Sequence, residues 1–216
     1  MILGISASGR KEGITEKTVR AILEASNSEY EYISLSGKKI NGCIGCTLCA
    51  ADNQCKIKDD WGEIAKKMLK ADAIVFGAPN YYGTINVLGH ACLERTFCFR
   101  HQGTFNLSGK LGISVSTSYG GPGDDTVHSI IKKWMVSNMM SVIGTVSARG
   151  YSQCYTCGFG HNCGVGNVVK EHGFLDKIEK ENYPPGFDEQ KDTVFQVDLI
   201  GKLLESILKK TQSKTN

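Results

Sequence analysis

Short apolar runs alternate along the chain with longer segments in which apolar residues recur every three or four positions. The apolar runs predict strands, because uninterrupted hydrophobic stretches of about four to eight residues are typical of strands buried on both faces. The expected strands cover residues 1–6, 30–35, 73–78, 111–116 and 141–148. The periodic segments predict helices. The expected helices cover residues 15–25, 61–69, 86–95, 125–139 and 199–208.

This alternation predicts an α/β protein with a parallel sheet covered by helices on both faces. Five strands with five helices favour the flavodoxin-like doubly wound order 2-1-3-4-5, in which ligands bind at the carboxyl ends of the strands. A single domain over residues 1–216 is expected, with a cysteine loop at 36–60 after the second strand. Residues 151–216 are expected to form a second cysteine loop and a C-terminal extension.

Two local signals set expected element ends. Pro79 follows the third apolar run and is expected to close that strand, since proline lacks a backbone donor. Asp59 or Asp60 precedes the second helical segment and is expected to cap it.

Composition narrows the class of protein. The 216 residues are 41% hydrophobic and 22% charged, with a formal net charge of +3, values typical of a globular protein. Since no basic stripe with interleaved aromatic residues occurs, nucleic acid is not an expected partner. No apolar run reaches the length of a membrane span, and residues 1–6 lack the basic flank of a signal peptide. The chain is therefore expected in a reducing cytoplasm, with its nine cysteines serving as ligands or redox groups.

Four of the cysteines fall within thirteen residues, in the pattern C-x2-C-x2-C-x5-C. They are Cys43, Cys46, Cys49 and Cys55. Four thiolates at compact spacing are typical ligands of iron–sulfur clusters. Zinc sites more often use two C-x2-C pairs separated by a longer segment. The spacing therefore favours a cluster and leaves free or redox-switching thiols, and then zinc, as alternatives.

A second cysteine group follows the fifth strand and repeats the x2 and x5 spacings. It consists of Cys154, Cys157 and Cys163, with Tyr151 where a further cysteine would stand. Three interpretations remain open: a metal site completed by His161, His172 or another cysteine, a redox-active thiol set, or a loop whose thiols have no role. Cys92 and Cys98, near the end of a predicted helix, are expected to be small buried side chains.

The turn after the first strand combines hydroxyl groups, glycine and a guanidinium just before a helix. Its candidate ligand-binding residues are Ser6, Ser8, Gly9, Arg10 and Thr15. Backbone amides and the helix dipole favour an anion there, and a monophosphate suits the arrangement. The alternative is an ordinary serine- and glycine-rich turn capped by Thr15. Neither a G-x-G-x-x-G motif nor a P-loop is present.

The turns after the third and fourth strands carry tyrosines, which can pack a planar ring, and glycines, which allow close backbone approach. The candidate residues of the first of these turns are Pro79, Asn80, Tyr81, Tyr82, Gly83 and Thr84. Those of the second are Thr117, Ser118, Tyr119, Gly120 and Gly121. With the first turn, they predict a pocket for a ring that carries a phosphate tail.

These turns and the segment His90-Ala-Cys-Leu-Glu94-Arg95 resemble the NADPH-dependent FMN reductase family of flavodoxin-like proteins, over residues 1–150. The first cysteine run narrows the resemblance to the iron–sulfur flavoproteins of anaerobes. The resemblance implies that the first turn binds the FMN phosphate and that the other two turns bind the isoalloxazine. It further implies that Cys43, Cys46, Cys49 and Cys55 bind a 4Fe-4S cluster, in a homodimer or homotetramer that exchanges electrons between cluster and flavin.

The residues and the resemblance together predict an FMN-dependent oxidoreductase that passes electrons between an iron–sulfur cluster and FMN. A ferredoxin-like protein or NAD(P)H is the expected donor. No catalytic side chain is expected, because the flavin carries the chemistry and no catalytic triad or paired-carboxylate motif stands out. One alternative is an FMN-dependent NAD(P)H:quinone or nitro-compound reductase with structural cysteines. The other is a thiol or metal redox sensor with a vestigial flavin site.

Overall fold

A computed structural model describes residues 1–121 and 126–212. In this part of the chain the strands are β1 (Ile2–Ser6), β2 (Tyr30–Ser34), β3 (Ala73–Tyr81), β4 (Thr84–Ile85), β5 (Leu111–Ser118) and β6 (Ser141–Arg149). The helices are α1 (Ile14–Ala25), α2 (Trp61–Lys70), α3 (Val87–Arg95), α4 (Thr126–Ser137), α5 (Asn167–His172) and α6 (Lys191–Gln212). Short 3-10 turns include Leu48–Ala51, Thr96–Phe99 and Gln153–Tyr155.

The strands form one sheet of order β2-β1-β3-β5-β6, and every neighbouring pair on that path is parallel. Strand β4 adds a short antiparallel pair at the end of β3. With β4 set aside, the order is the 2-1-3-4-5 arrangement of a flavodoxin-like sheet, so the predicted fold class is confirmed.

Alternate residues of the buried strands face two hydrophobic layers. Leu3 and Phe76 point into a layer shared with α2, α3 and α4. Ile2 and Val75 point to the opposite side, against apolar residues of α1 and α6. Because successive strand residues face opposite sides, continuous apolar runs are needed to fill both layers. The apolar runs of the central strands thus supply both halves of the core.

Two predicted element ends are wrong. Pro79 does not end β3, which continues to Tyr81 because Asn80 and Tyr81 pair with β4. Helix α6 begins at Lys191, eight residues before the predicted start at 199, and its buried residue Val197 already belongs to the apolar face. The chain therefore has more regular structure at both places than the apolar patterns suggested.

Other element ends agree more closely. Asp59, rather than Asp60, bonds the start of α2, where its Oδ1 accepts from the backbone N–H of Trp61 at 3.1 Å. Helix α4 ends at Ser137, two residues before the predicted end, and Met139 has a positive φ of 59°. The predicted first residue of this helix, Asp125, lies outside the described residues. No described helix is both long enough and apolar enough to span a lipid bilayer.

Candidate functional site

A cleft of about 350 Å³ opens at the carboxyl ends of β1, β3, β5 and β6. Nine of the residues predicted to bind FMN line it, and they come from the three predicted turns. They are Ser8, Arg10, Thr15, Pro79, Asn80, Tyr81, Tyr82, Thr117 and Tyr119. The parallel sheet brings them together, because all carboxyl ends of its parallel strands meet at one edge.

Seven further candidates belong to the same turns but do not line the cleft. They are Ser6, Gly9, Gly83, Thr84, Ser118, Gly120 and Gly121. Ser6 is buried, and its Oγ lies 3.4 Å from the backbone N–H of Ser8, which donates to it. The Oγ1 atom of Thr84 lies 3.0 Å from Nε2 of His90. These two residues therefore support the turns from behind.

The first turn leads directly into α1, whose N-cap is Gly13. Thr15 is buried inside the helix and lines the cleft, so the alternative in which it caps the helix is wrong. The backbone N–H of Arg10 donates to Ser8 Oγ at 3.1 Å. The Arg10 guanidinium donates to the carbonyl of Tyr151 at 2.9 Å and lies 4.6 Å from its ring centroid. A fixed positive charge and a helix N-terminus thus meet here, an arrangement that favours an anion.

A tight hairpin between β3 and β4 forms one rim of the cleft. Tyr82 and Gly83 both have positive φ, 55° and 76°, as the central pair of a type I′ turn requires. The backbone N–H of Gly83 donates to Asn80 Oδ1 at 2.8 Å. The side chain of Tyr82 is fully exposed, and that of Tyr81 is half exposed. Two aromatic rings therefore stand at the mouth of the cleft.

Thr117 provides a test of what the cleft can hold. The residue is 7% exposed, and its Oγ1 is buried with no hydrogen-bond partner among the described residues. A buried polar atom without a partner costs about 1–3 kcal/mol. Since Thr117 also lines the cleft, a ligand with a polar rim would satisfy it. Together with the tyrosines and the anion-favouring turn, this fits a flavin mononucleotide.

The rest of the cleft lining comes mainly from the segment after β6, whose residues are not among the predicted site residues. The additional lining residues are Gly13, Ile14, Gly150, Tyr151, Ser152, Gln153, Cys154 and Asn167. The available signal was the sheet-edge rule, because this segment also leaves the carboxyl end of a strand.

A polar network lies behind that part of the cleft lining. The hydroxyl of Tyr155 donates to Glu171 Oε2 at 2.6 Å, and Arg149 Nη2 lies 3.3 Å from Oε1 of the same carboxylate. Hydrogen bonds from Tyr155 and then Tyr119 hold the pKa of Glu171 below its ordinary value, against the effect of burial. Burial, followed by the contact with Glu171, raises the pKa of Tyr119 to about 12. The network therefore keeps Tyr119, which lines the cleft, as a neutral phenol that donates to Glu171.

The cysteine loop (residues 36–60) is held by the end of α3. The side chain of Arg95 is fully buried and pairs with Asp59 at 2.6 Å. Its Nε lies 3.3 Å from Cys55 Sγ, while Nη1 donates to the carbonyl of Asn41 at 3.0 Å and Nη2 to that of Ile57 at 3.4 Å. Burial alone would lower the pKa of Arg95, but the bonds with Asp59 and Cys55 raise it. One permanent positive charge thus binds both ends of the loop.

Two further side chains reach the loop thiols and backbone. Glu94 Oε2 accepts from the backbone N–H of Cys43 at 3.2 Å, and His101 Nε2 lies 3.2 Å from Cys49 Sγ. Burial raises the pKa of Cys49, and electrostatic interactions with Cys55, Cys43 and Cys46 raise it further. Charge on the other three loop thiols therefore acts on the Cys49 thiol.

The donor set of this loop fits an iron–sulfur cluster in its chemistry. It offers four thiols at compact spacing, with the guanidinium of Arg95 donating to Cys55 and a ring nitrogen of His101 beside Cys49. Within residues 1–121 and 126–212, no group of three or more His, Cys, Asp or Glu side chains stands in a metal-binding arrangement. The fit therefore rests on the number and kind of donor atoms that the loop contains.

Cys154 of the second cysteine group lines the cleft. The backbone N–H of Asn167 donates to Cys154 Sγ at 3.4 Å. His172, one suggested metal ligand, has its Nε2 3.3 Å from the hydroxyl of Tyr155. The proposed metal site at these cysteines is thus not assembled among the described residues.

Cys92 and Cys98 are 0% and 2% exposed, which confirms their predicted burial. Burial is the main cause that raises the pKa of Cys92 to about 12 and that of Cys98 to about 11. Both side chains therefore remain protonated thiols at neutral pH.

The chain matches known proteins in sequence and in fold. The model of the NADPH-dependent FMN reductase family matches residues 1–153. An iron-sulfur flavoprotein of Methanocaldococcus jannaschii is 36% identical over 146 residues, which cover 65% of this chain and 75% of the relative. An iron-sulfur flavoprotein of Methanosarcina thermophila is 34% identical over 154 residues, which cover 69% and 80%.

A solved NAD(P)H:quinone oxidoreductase from Methanothermobacter marburgensis superposes with a TM-score of 0.59 at 11% identity, over 94% of this chain and 96% of that one. At this identity the similarity concerns the fold alone. The family match covers the three turns that build the cleft, and the fold places those turns at one edge. The chain therefore belongs to the NADPH-dependent FMN reductase family and is a flavin-dependent oxidoreductase.

Proposed function

We propose that this flavin-dependent oxidoreductase is an electron-transfer protein that binds FMN in the cleft and a 4Fe-4S cluster in the cysteine loop. Electrons pass between the two centres, and a ferredoxin-like protein or NAD(P)H supplies them. The observation that carries the proposal is the run of four cysteines in one loop that the buried cation Arg95 holds closed, with its Nε 3.3 Å from Cys55 Sγ. The names of two relatives, both iron-sulfur flavoproteins, support it.

FMN would lie with its phosphate at the first turn and its ring between the second and third turns. Ser8, Arg10 and Thr15 would hold the phosphate at the N-terminus of α1. The rings of Tyr81 and Tyr82 would pack the isoalloxazine, and Thr117 would bond its polar rim. When bound, FMN supplies the hydride or electron chemistry, and the protein supplies orientation and hydrogen bonds.

The other candidates in the three turns complete the proposed FMN site as backbone donors or as supports of the turn conformation. They are Ser6, Gly9, Pro79, Asn80, Gly83, Thr84, Ser118, Tyr119, Gly120 and Gly121. Gly83 and Gly121 have positive φ values of 76° and 82°, so a side chain at either position would strain the turn.

The cluster would be held by the four thiolates of the cysteine loop. They are Cys43, Cys46, Cys49 and Cys55. Hydrogen bonds and charge near the sulfurs are main determinants of cluster potential. Arg95 donates to Cys55 and His101 lies beside Cys49, so both are in position to act on the sulfurs.

We also propose that the protein works as a homodimer or homotetramer. Helix α6 exposes three large apolar side chains at helical spacing, which supports association with a further copy. They are Phe195, Leu199 and Leu203.

The test is an anaerobic purification followed by assays of FMN, iron, acid-labile sulfide and zinc per chain. About one FMN with about four iron and four sulfide is expected. The substitution Cys46→Ser should remove most of the iron and leave FMN bound. The matched control Cys92→Ala changes a buried cysteine outside the loop and should leave both contents unchanged.

Other outcomes would decide for the alternatives. FMN without iron would indicate an FMN-dependent NAD(P)H:quinone or nitro-compound reductase with structural cysteines. Metal without tightly bound FMN would indicate a thiol or metal sensor. Zinc in place of iron, lost in Cys46→Ser, would replace the cluster by a zinc site.

A further inference from the structure

We infer that Cys154, on the wall of the cleft, and Cys157, three residues later, form a redox-active pair that cycles between dithiol and disulfide by two-electron exchange with FMN. The inference rests on the proposed binding of FMN in that cleft. It gives this chain a third redox group that is distinct from the flavin and from the cysteine loop.

The position of Cys154 is the first argument. This residue lines the cleft together with Tyr151, Ser152 and Asn167. It also interacts electrostatically with Tyr119, which lines the cleft from the end of β5. Cys154 therefore lines the same cleft in which the flavin is proposed to lie.

The spacing of the two cysteines is the second argument. Cys157 follows Cys154 by three residues in a tight turn, and its Sγ lies 3.5 Å from the carbonyl oxygen of Cys154. Turns bring residues i and i+3 within about 7 Å between Cα atoms. Disulfides span Cα separations of about 4.4–6.8 Å. A C-x-x-C pair within a turn can therefore close a disulfide by local rearrangement of side chains.

The polar surroundings of the Cys154 thiol are the third argument. The backbone N–H of Asn167 donates to its sulfur, and this bond is the main cause that lowers the pKa of Cys154. A hydrogen bond with Ser152 acts in the same direction. The thiolate is the form that attacks disulfides, so the hydrogen bond from Asn167 favours the reactive form of Cys154. Cys157 is exposed and accessible as its partner.

The turn that carries the pair is packed closely from behind. A Cβ atom added at Gly160 would lie 1.8 Å from the carbonyl oxygen of Cys154. Gly160 thus allows the chain to cross directly over this turn. The close approach of Gly160 restricts the backbone of Cys154, while the side chain of Cys157 stays exposed.

The electron balance of the step is complete. In the oxidised pair, the bond between the two sulfurs breaks when it takes up two electrons and two protons. Each sulfur is then released as a thiol. Reduced FMN supplies the two electrons and the protons and becomes oxidised FMN. In the reverse direction the two thiols form the disulfide, and their electrons and protons go to FMN.

Cys163 provides the internal control. It belongs to the same cysteine group but does not line the cleft. Its side chain packs beside Gly166, where an added Cβ atom would lie 3.4 Å from Cys163 Sγ. If the group held a metal instead, Cys163→Ser would have the same effect as changes at Cys154 and Cys157. For a dithiol pair, it should have none.

The experiment uses the FMN-loaded, cluster-containing protein under anaerobic conditions. Oxidised and dithionite-reduced samples are alkylated and mapped by mass spectrometry, and a disulfide between Cys154 and Cys157 is expected only in the oxidised sample. In a dithionite titration, the wild type and Cys163→Ser should take up about two more electrons per chain than Cys154→Ser or Cys157→Ser. Because Cys157 is exposed, Cys157→Ser should fold and test the inference even if Cys154→Ser is unstable.

Several results would overturn the inference: equal electron uptake in all four proteins, a disulfide that includes Cys163, or loss of iron in Cys163→Ser. The FMN content of each sample, measured by absorbance, separates this test from that of the proposed function. A mapped Cys154–Cys157 disulfide in a chain without FMN would refute the flavin site and the exchange, but a full FMN content with no extra electrons would refute the dithiol alone.

Discussion

The Nε atom of Arg95 lies 3.3 Å from the Sγ atom of Cys55. The same guanidinium forms an ion pair with Asp59, and the two side chains are 0% and 5% exposed. The end of α3 is thereby tied to the exit of the cysteine loop. Because the charges are buried together, each depends on the other for compensation.

Replacement of Arg95 by Leu should lower the free energy of unfolding by about 3–5 kcal/mol, because Asp59 would be left as an unpaired buried charge. Urea denaturation measures the change. The control is Lys202→Ala, which breaks an exposed pair with Asp198 and should cost less than about 1 kcal/mol. Equal effects of the two substitutions would contradict the structural role of Arg95.

The Arg95–Asp59 pair should also make stability depend on acid. Burial alone would raise the pKa of Asp59, but bonds from Arg95 and from the N–H groups of Asn41 and Trp61 hold it below the ordinary value. Since the folded pKa is depressed, this contribution is complete above the unfolded value of about 3.9 and is lost as the pH falls further.

Asp59→Asn should therefore be less stable than the wild type at pH 7, and the difference should shrink below about pH 4. Urea midpoints measured from pH 3 to pH 7 test this. Asp198→Asn, on the surface, should show a small difference at every pH. A difference for Asp59→Asn that stayed constant to pH 3 would refute the assigned pKa shift.

Thr117→Val should weaken FMN binding and leave the protein equally stable or more stable. Among the described residues the hydroxyl has no hydrogen-bond partner, so its loss removes a buried polar cost, while a bound flavin would lose one hydrogen bond. A bond of about 0.5–1.5 kcal/mol corresponds to an increase in Kd of roughly 2- to 12-fold. Fluorescence titration with FMN and thermal unfolding measure the two effects.

Thr193→Val is the control, because the hydroxyl of Thr193 has a hydrogen-bond partner in the protein and does not line the cleft. Thr193 is buried in α6, and its hydroxyl donates to the carbonyl of Ser147 at 2.9 Å. This variant should lose about 1 kcal/mol of stability and keep the wild-type affinity for FMN. If both threonine variants bound FMN like the wild type, Thr117 would not contact the flavin.

Gly160→Ala should destabilise the protein by at least about 1–3 kcal/mol, because the clash is with backbone of Cys154, which cannot turn aside. It should also change the alkylation rate of the Cys154 thiol. In Gly62→Ala the added methyl meets open space at the start of α2, and stability should stay within about 1 kcal/mol of the wild type. Thermal unfolding and timed alkylation provide the measurements.

The sheet was predictable because its central strands are continuous apolar runs, which only a strand buried on both faces explains. The short elements were not. Strand β4 has two residues and α5 has six, so neither shows a period. Helix α6 did carry a signal before its predicted start: Val197 is buried one turn before Ile200, on the same face.

The cleft was partly predictable for the same topological reason. Residues at or just beyond the ends of strands, such as Ser8 and Tyr81, could be placed at one edge from sequence alone. The partners of Arg95 could not, because Asn41 and Asp59 reach it only after the cysteine loop folds back on α3. The contact between Tyr155 and Glu171 likewise depends on an irregular segment with no regular period.

The closure of the cysteine loop on Arg95 has an evolutionary consequence. Asn41 and Asp59 both bind this one side chain, and they also bind each other, through a bond from the Asn41 N–H to Asp59 Oδ2. The intervening segment therefore leaves and re-enters the fold at a single point. Its length and content can change without shifting the register of any strand. A flavin scaffold can thus gain, lose or exchange a cysteine-bearing segment here by local insertion.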